Sequence, residues 1–167
     1  MAIAEDYMFS DDPHPIDLVE NIAEYKDWDF DRIADNQISM LVEGQWRSYT
    51  LTLAFSPHEG LLKLVATYEL DPPKEAEPRI YETLNAANDM MWTGAFNYWK
   101  AQKLMVYRYG LMLNDDYEAT SDQVESMIST AITACERFYP ALQLTAWADY
   151  SVEDAMKIAI DKTYGRA

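Results

Sequence analysis

The chain reads as an α+β domain: an antiparallel sheet of about five strands with helices packed on it, in the order α-β-β-β-α-β-β-α plus a short C-terminal helix. Three observations predict it. Apolar residues recur at helical spacing in separate stretches near the start, middle and end of the chain. Between them lie segments that alternate apolar and polar residues, the signature of half-buried strands. The turns joining those strands are too short for a parallel crossover, so the pairing must be antiparallel.

The first helix opens after Pro13-His14-Pro15, where Pro15 suits a first helical turn and Asp12 or His14 stands at the cap position. Ile16, Val19, Ile22 and Ala23 give it an apolar face, and it should end near Asp27. Residues Asp29 to Ala34 are ambiguous by pattern. Ile38, Met40 and Val42 then alternate as a strand, and Glu43-Gly44-Gln45 signals a turn. Arg47 to Phe55 is the clearest strand, with Tyr49, Leu51, Leu53 and Phe55 on one face and Ser48, Thr50, Thr52 and Ala54 on the other. Ser56 to Gly60 closes a hairpin, and Leu62, Leu64, Ala66, Tyr68 and Leu70 form the buried face of the return strand.

Asp71-Pro72-Pro73 stops that strand. A second helix runs from about Glu75 or Pro78 to Met91, with Ile80, Leu84, Ala87 and Met91 on one side. An aromatic-rich hairpin follows, Phe96 to Trp99 and Leu104 to Leu113, turning at Ala101-Gln102-Lys103. The third helix starts at Thr120 or Ser121, where Thr120 and Gln123 fit a capping box. Its stripe is Val124, Ile128, Ala131, Cys135, Phe138 and Leu142. Pro140 must kink or end it, and the apolar pattern resuming at Leu144 and Trp147 favours a kinked helix to about Ala148. Ser151 caps the last helix, which carries Glu153 and Asp154 early and Lys157 and Lys162 later, matching the dipole.

Composition narrows the function. With 167 residues the chain fits one domain, and residues 1–12 form an acidic, loosely held N-terminus. A net charge of −16, from 29 acids against 13 bases, argues against nucleic acid and against an anionic membrane surface. One cysteine allows no internal disulfide, and neither a signal peptide nor a membrane-spanning run is visible, so a soluble cytoplasmic protein is expected.

No catalytic, cofactor-binding or metal-binding residues emerge. The two histidines, His14 and His58, each sit beside a proline in an expected exposed turn. Asp11-Asp12-Pro13-His14 matches no known ligand spacing, and Asp29 to Asn36 lacks the glycine and terminal glutamate of a calcium loop. Asn114-Asp115-Asp116 reads as a solvated turn. Cys135 falls on the core stripe of helix three, where a thiol is inert. No glycine-rich phosphate loop occurs. What stands out is the aromatic wealth of the hairpin: Trp92, Phe96, Tyr98, Trp99, Tyr107 and Tyr109, with Trp147 further on. Most should be core or cross-strand pairs. Large residues on both faces of one hairpin also make these seven a candidate partner or dimer surface, covered by a helix of the same chain, a second copy or a partner segment.

Several segments carry a family resemblance: Val42-Glu43-Gly44-Gln45-Trp46-Arg47-Ser48-Tyr49, Leu84-Asn85 through Trp92-Thr93-Gly94-Ala95-Phe96-Asn97-Tyr98-Trp99, Ala134-Cys135-Glu136-Arg137-Phe138-Tyr139-Pro140-Ala141, and Ser151-Val152-Glu153-Asp154-Ala155. In order and spacing they resemble the YbjN family of bacterial sensory transduction regulators, with residues 13–167 as a single YbjN-like domain. The resemblance implies a fold like that of the type III secretion chaperones and a non-enzymatic role as a regulator or chaperone-like adaptor that binds another polypeptide. Since fold relatives commonly dimerise, it also implies a homodimer. It supplies no catalytic motif. The alternative class is a small-molecule sensor or uncharacterised enzyme with a pocket between sheet and helix, motivated by the aromatics with Asn97 and Arg108.

Overall fold

A computed structural model describes residues 14–113 and 118–163. The expectations for the N-terminal dozen residues, the Asp11-to-Pro13 part of the acidic cluster, the 114–116 turn and the Lys162 side chain lie outside the described residues.

The order is α1 (Pro15–Tyr25), β1 (Asp29–Ala34), β2 (Gln37–Glu43), β3 (Ser48–Ser56), β4 (Leu61–Glu69), α2 (Glu77–Asp89), β5 (Ala95–Trp99), β6 (Leu104–Met112), α3 (Ser121–Trp147) and α4 (Val152–Thr163), with a short 3-10 turn at Lys74–Ala76 before α2. The α+β class is as expected, but the sheet has six strands in the order β1-β2-β3-β4-β6-β5, not five. The extra strand is the ambiguous stretch at Asp29. It pairs antiparallel with β2, placing Phe30 beside Met40 and Asp31 beside Ser39. Its charged residues are tolerated because it is an edge strand, where charge also discourages pairing with another chain.

The inner face is continuous across the sheet. Met40, Leu51, Ala66, Tyr107 and Phe96 fall in one transverse row, and all are buried. The α3 residues Val124, Ile128, Ala131, Cys135, Phe138 and Leu142 pack into the same core. Leu51, Leu53, Leu62, Tyr49 and Tyr107 have no exposure, so the layer between sheet and helices is filled with side chains.

Helix ends follow their local chemistry. Residue His14 is not an exposed turn histidine: its Nδ1 accepts from the Ile16 N–H at 3.1 Å, and its ring meets the edge of Phe55. The C-terminus of α1 closes as a Schellman motif, with the Trp28 N–H on the Ala23 carbonyl and the Asp27 N–H on that of Glu24. This needs Asp27 in the left-handed region, at φ 57°. The capping box on α3 is present in both directions, Gln123 N–H to Thr120 Oγ1 and Thr120 N–H to Gln123 Oε1. Helix α3 continues through Pro140 to Trp147, close to the expected Ala148. Ser151 caps α4 by accepting from the Asp154 N–H.

Two buried threonines join α2 to α3. The hydroxyls of Thr83 and Thr145 lie 3.1 Å apart, and Arg79 Nε donates to the Thr145 carbonyl. Both buried polar groups thus have partners, as burial requires. No helix among the described residues is long and apolar enough to cross a membrane.

Candidate functional site: a groove across the third helix

Helix α3 buries one stripe and presents the opposite one. Ser129 and Thr133 are exposed there, and Thr130 and Arg137 are half-buried. Small hydroxyl residues make a low floor, and taller neighbours rise on either side. Two adjoining clefts result, of about 500 Å³ and 360 Å³, which share Thr133 and Arg137. The first is walled by Gln45 and Trp46 of the β2–β3 turn and by Ala159 of α4. The second is walled by Met90, Met91 and Trp92 after α2. A third cleft of about 240 Å³, between Trp28 and α3, also reaches Thr133.

The walls are held by packing beneath them. Trp46 stacks on Tyr139 with ring centroids 6.4 Å apart, Tyr139 meets Tyr68 edge-on at 5.6 Å, and Tyr68 meets Tyr49 in the same way. The Arg47 guanidinium lies 5.0 Å over the Tyr68 ring. At Gly44 the β2–β3 turn runs so close to α3 that a Cβ would overlap the Glu136 carboxylate and crowd the Tyr49 ring. Glycine is therefore what lets the turn carrying Trp46 close onto the helix. On the other side, Gly94 at φ +76° lets the loop after Trp92 fold over Tyr107, whose hydroxyl donates to the Thr93 carbonyl at 2.9 Å.

The electrostatics below the groove are those of a dry layer. Burial, then the facing Glu136 carboxylate, raises the Tyr49 hydroxyl far above the usual phenol range. Burial raises Tyr68 as well. The Cys135 thiol is pushed up to about 12, first by burial and then by Glu136. A buried neutral thiol of this kind is a packing group.

The seven aromatics expected to form one surface do not come together. Phe96 and Tyr107 are core residues, 2% and 0% exposed, so their assignment to a partner surface is corrected: they pair edge-on with each other, and Phe96 also meets Phe138. Tyr98 and Tyr109 are half-buried against the same core. Strand alternation places Trp99 with Asn97 on the opposite, outer face of the sheet. Trp147 is exposed at the end of α3. Only Trp92 joins the groove, and it is fully exposed at 101%. Sequence reasoning missed Trp46, Thr133 and Arg137. A tryptophan directly after a Gly-Gln turn was the one available signal, since turns lie at the surface.

Residues 15–144 match the family model of YbjN, described as "Putative bacterial sensory transduction regulator". The solved structure described as "Crystal structure of YbjN, a putative transcription regulator from E. coli" is similar in fold, with a TM-score of 0.55 at 11% identity, covering 78% of this chain and 91% of that one. No curated protein matches the chain. The order of helices and strands, the sheet and the sequence match over residues 15–144 agree, and the chain belongs to the YbjN family.

Proposed function

We propose that this chain is a non-enzymatic regulator that acts in the cytoplasm as an adaptor or chaperone-like module, holding a segment of another polypeptide in the groove across α3. The observation that carries this reading is the pair of adjoining clefts with Trp46 at one end, Trp92 at the other and Arg137 between them. Tryptophan and arginine are the residue types that most often dominate binding energy at protein interfaces. A tryptophan left wholly in water is poorly explained by folding alone, because its apolar surface gains nothing there. A low floor of Ser129, Thr130 and Thr133 lets a backbone approach between the walls. The sensory-regulator description of the family supports a regulatory role. The charge of −16 favours a protein occupant over nucleic acid or an anionic membrane.

Site-specific photo-crosslinking in cells tests this. A photoreactive residue at position 133 should yield discrete protein adducts, and one at the exposed Thr50 on the far side of the sheet should not give the same ones. Trp46→Ala and Trp92→Ala should each reduce the adducts at 133 about tenfold, the scale of a hot-spot loss of ~1.4 kcal/mol. Trp92→Ala should leave stability within ~0.5 kcal/mol, since an exposed side chain packs against little. Absence of adducts from 133, or adducts indifferent to both tryptophans, would overturn the proposal.

A further inference from the structure

The floor of the α3 groove is ordered along the helix. Ser129, Thr133 and Arg137 stand four positions apart, about one turn each, so two hydroxyls and a guanidinium line up on one side. Arg137 is half-buried, and its Cζ lies 5.1 Å from the centroid of the Phe138 ring. A cation resting on an aromatic ring is held in place before anything binds. Among the described residues Arg137 is the one charged side chain lining the second cleft, whose wall is Met90, Met91 and Trp92. The first cleft also borders Glu136, but that carboxylate is turned under the β2–β3 turn, into the space a Cβ on Gly44 would fill. The charge that both clefts share is therefore the guanidinium of Arg137.

We propose that the segment held in the groove carries a single aspartate or glutamate between two apolar side chains, with the carboxylate on Arg137 and the apolar groups against Trp46 and Trp92. This rests on the polypeptide-binding reading above and names the chemistry of the occupant. A guanidinium has five N–H donors in a planar fork, and a carboxylate takes two of them in parallel. A remaining lone pair of the carboxylate is free to accept from the Thr133 hydroxyl, one turn back along the helix.

Charge decides which anion fits. A phosphorylated side chain is close to a dianion and is recognised by clusters of arginine, whereas this groove has one arginine on a chain of charge −16. A run of acids meets the same repulsion. A single carboxylate does not, because salt at ~0.15 M screens charges beyond about 8 Å and leaves the contact with Arg137 in force. The rest of the occupant is accordingly neutral or basic.

The test is selection of random phage-displayed peptides on the folded full chain, run in parallel on wild type and Arg137→Glu, with circular dichroism to check folding. Wild type should enrich peptides with one Asp or Glu flanked by apolar residues. Arg137→Glu should enrich Lys or Arg at that place, a reversal that misfolding cannot produce. A synthetic copy of a wild-type peptide should bind Arg137→Glu at least about tenfold more weakly. Arg108→Glu, on the outer face of the sheet, changes the net charge equally and should leave that binding unaltered. A selection that enriches nothing, or peptides bound equally by Trp46→Ala and Trp92→Ala, would overturn the groove reading and this inference with it. Peptides lost with the tryptophans but lacking the acid, indifferent to Arg137→Glu, or weakened as much by Arg108→Glu would overturn the carboxylate assignment alone.

Discussion

Asn88 shows how a single side chain can finish a sheet. Its carboxamide accepts from the Phe96 N–H at 2.7 Å and donates to the Phe96 carbonyl at 3.1 Å. Strand β5 is the last in the sheet among the described residues, so these two backbone groups face away from β6 and find no strand there to pair with. Asn88 supplies what a seventh strand would. Asn88→Ala removes both bonds beside a residue that is only 2% exposed. At ~0.5–1.5 kcal/mol net for each bond, the loss is about 1–3 kcal/mol. For a chain of this size that lowers the melting temperature by roughly 2–12 °C, using ~2–4 °C per kcal/mol. Asn88→Asp keeps the acceptor and loses the donor, so it should fall between the two at neutral pH. It should recover at acid pH, where a protonated carboxyl can donate again. Denaturant unfolding measures the energy, and amide exchange at Phe96 locates it. A change below about 0.5 kcal/mol with unaltered protection at Phe96 would refute the reasoning. The opened edge should also make the Ala variant more prone to self-association through strands.

Two further perturbations test the local physics. Asp27→Gly should stabilise the chain by up to ~1 kcal/mol, because glycine adopts the left-handed conformation of this helix end without a Cβ penalty. Asp27→Val should destabilise it, and denaturant midpoints that move in the opposite order would show that the Schellman geometry is not what matters there. Alkaline pH should unfold the protein through its buried acids. Burial pushes both the Cys135 thiol and the Tyr107 hydroxyl up to about 12. Folding favours their neutral forms, so their contribution is whole below the unfolded values of about 8.5 and 10 and is lost as pH rises toward 12. Stability should thus be level up to about pH 8.5 with respect to these groups and then fall, and Cys135→Ala should delay the onset. A denaturation midpoint that stays flat to pH 11 would contradict this.

Much of the fold was legible along the chain because local rules set it. The stripe from Val124 to Leu142 faces the core because 3.6-residue periodicity leaves it no other side. The alternation from Tyr49 to Phe55 assigned β3 its two faces, and the capping box placed the start of α3. The Asp29 stretch was not legible: its apolar residues are few, and it becomes a strand only because β2 offers an edge in register. Nor could sequence show that β6 enters between β4 and β5, since alternation says which face a residue takes but not which neighbour a strand finds.

The same division runs through the candidate site. Local pattern determined that Trp99 and Phe96 point to opposite sides, that Cys135 lies inward, and that the chain is strongly acidic. Tertiary structure alone decided that Phe96 and Tyr107 are core and Trp92 is not. It alone brought Trp46 and Trp92, 46 positions apart in the sequence, to either side of Thr133 on one helix. Periodicity is fixed by the geometry of a single element, whereas a groove is fixed by where several elements come to rest, and that depends on the whole core they share.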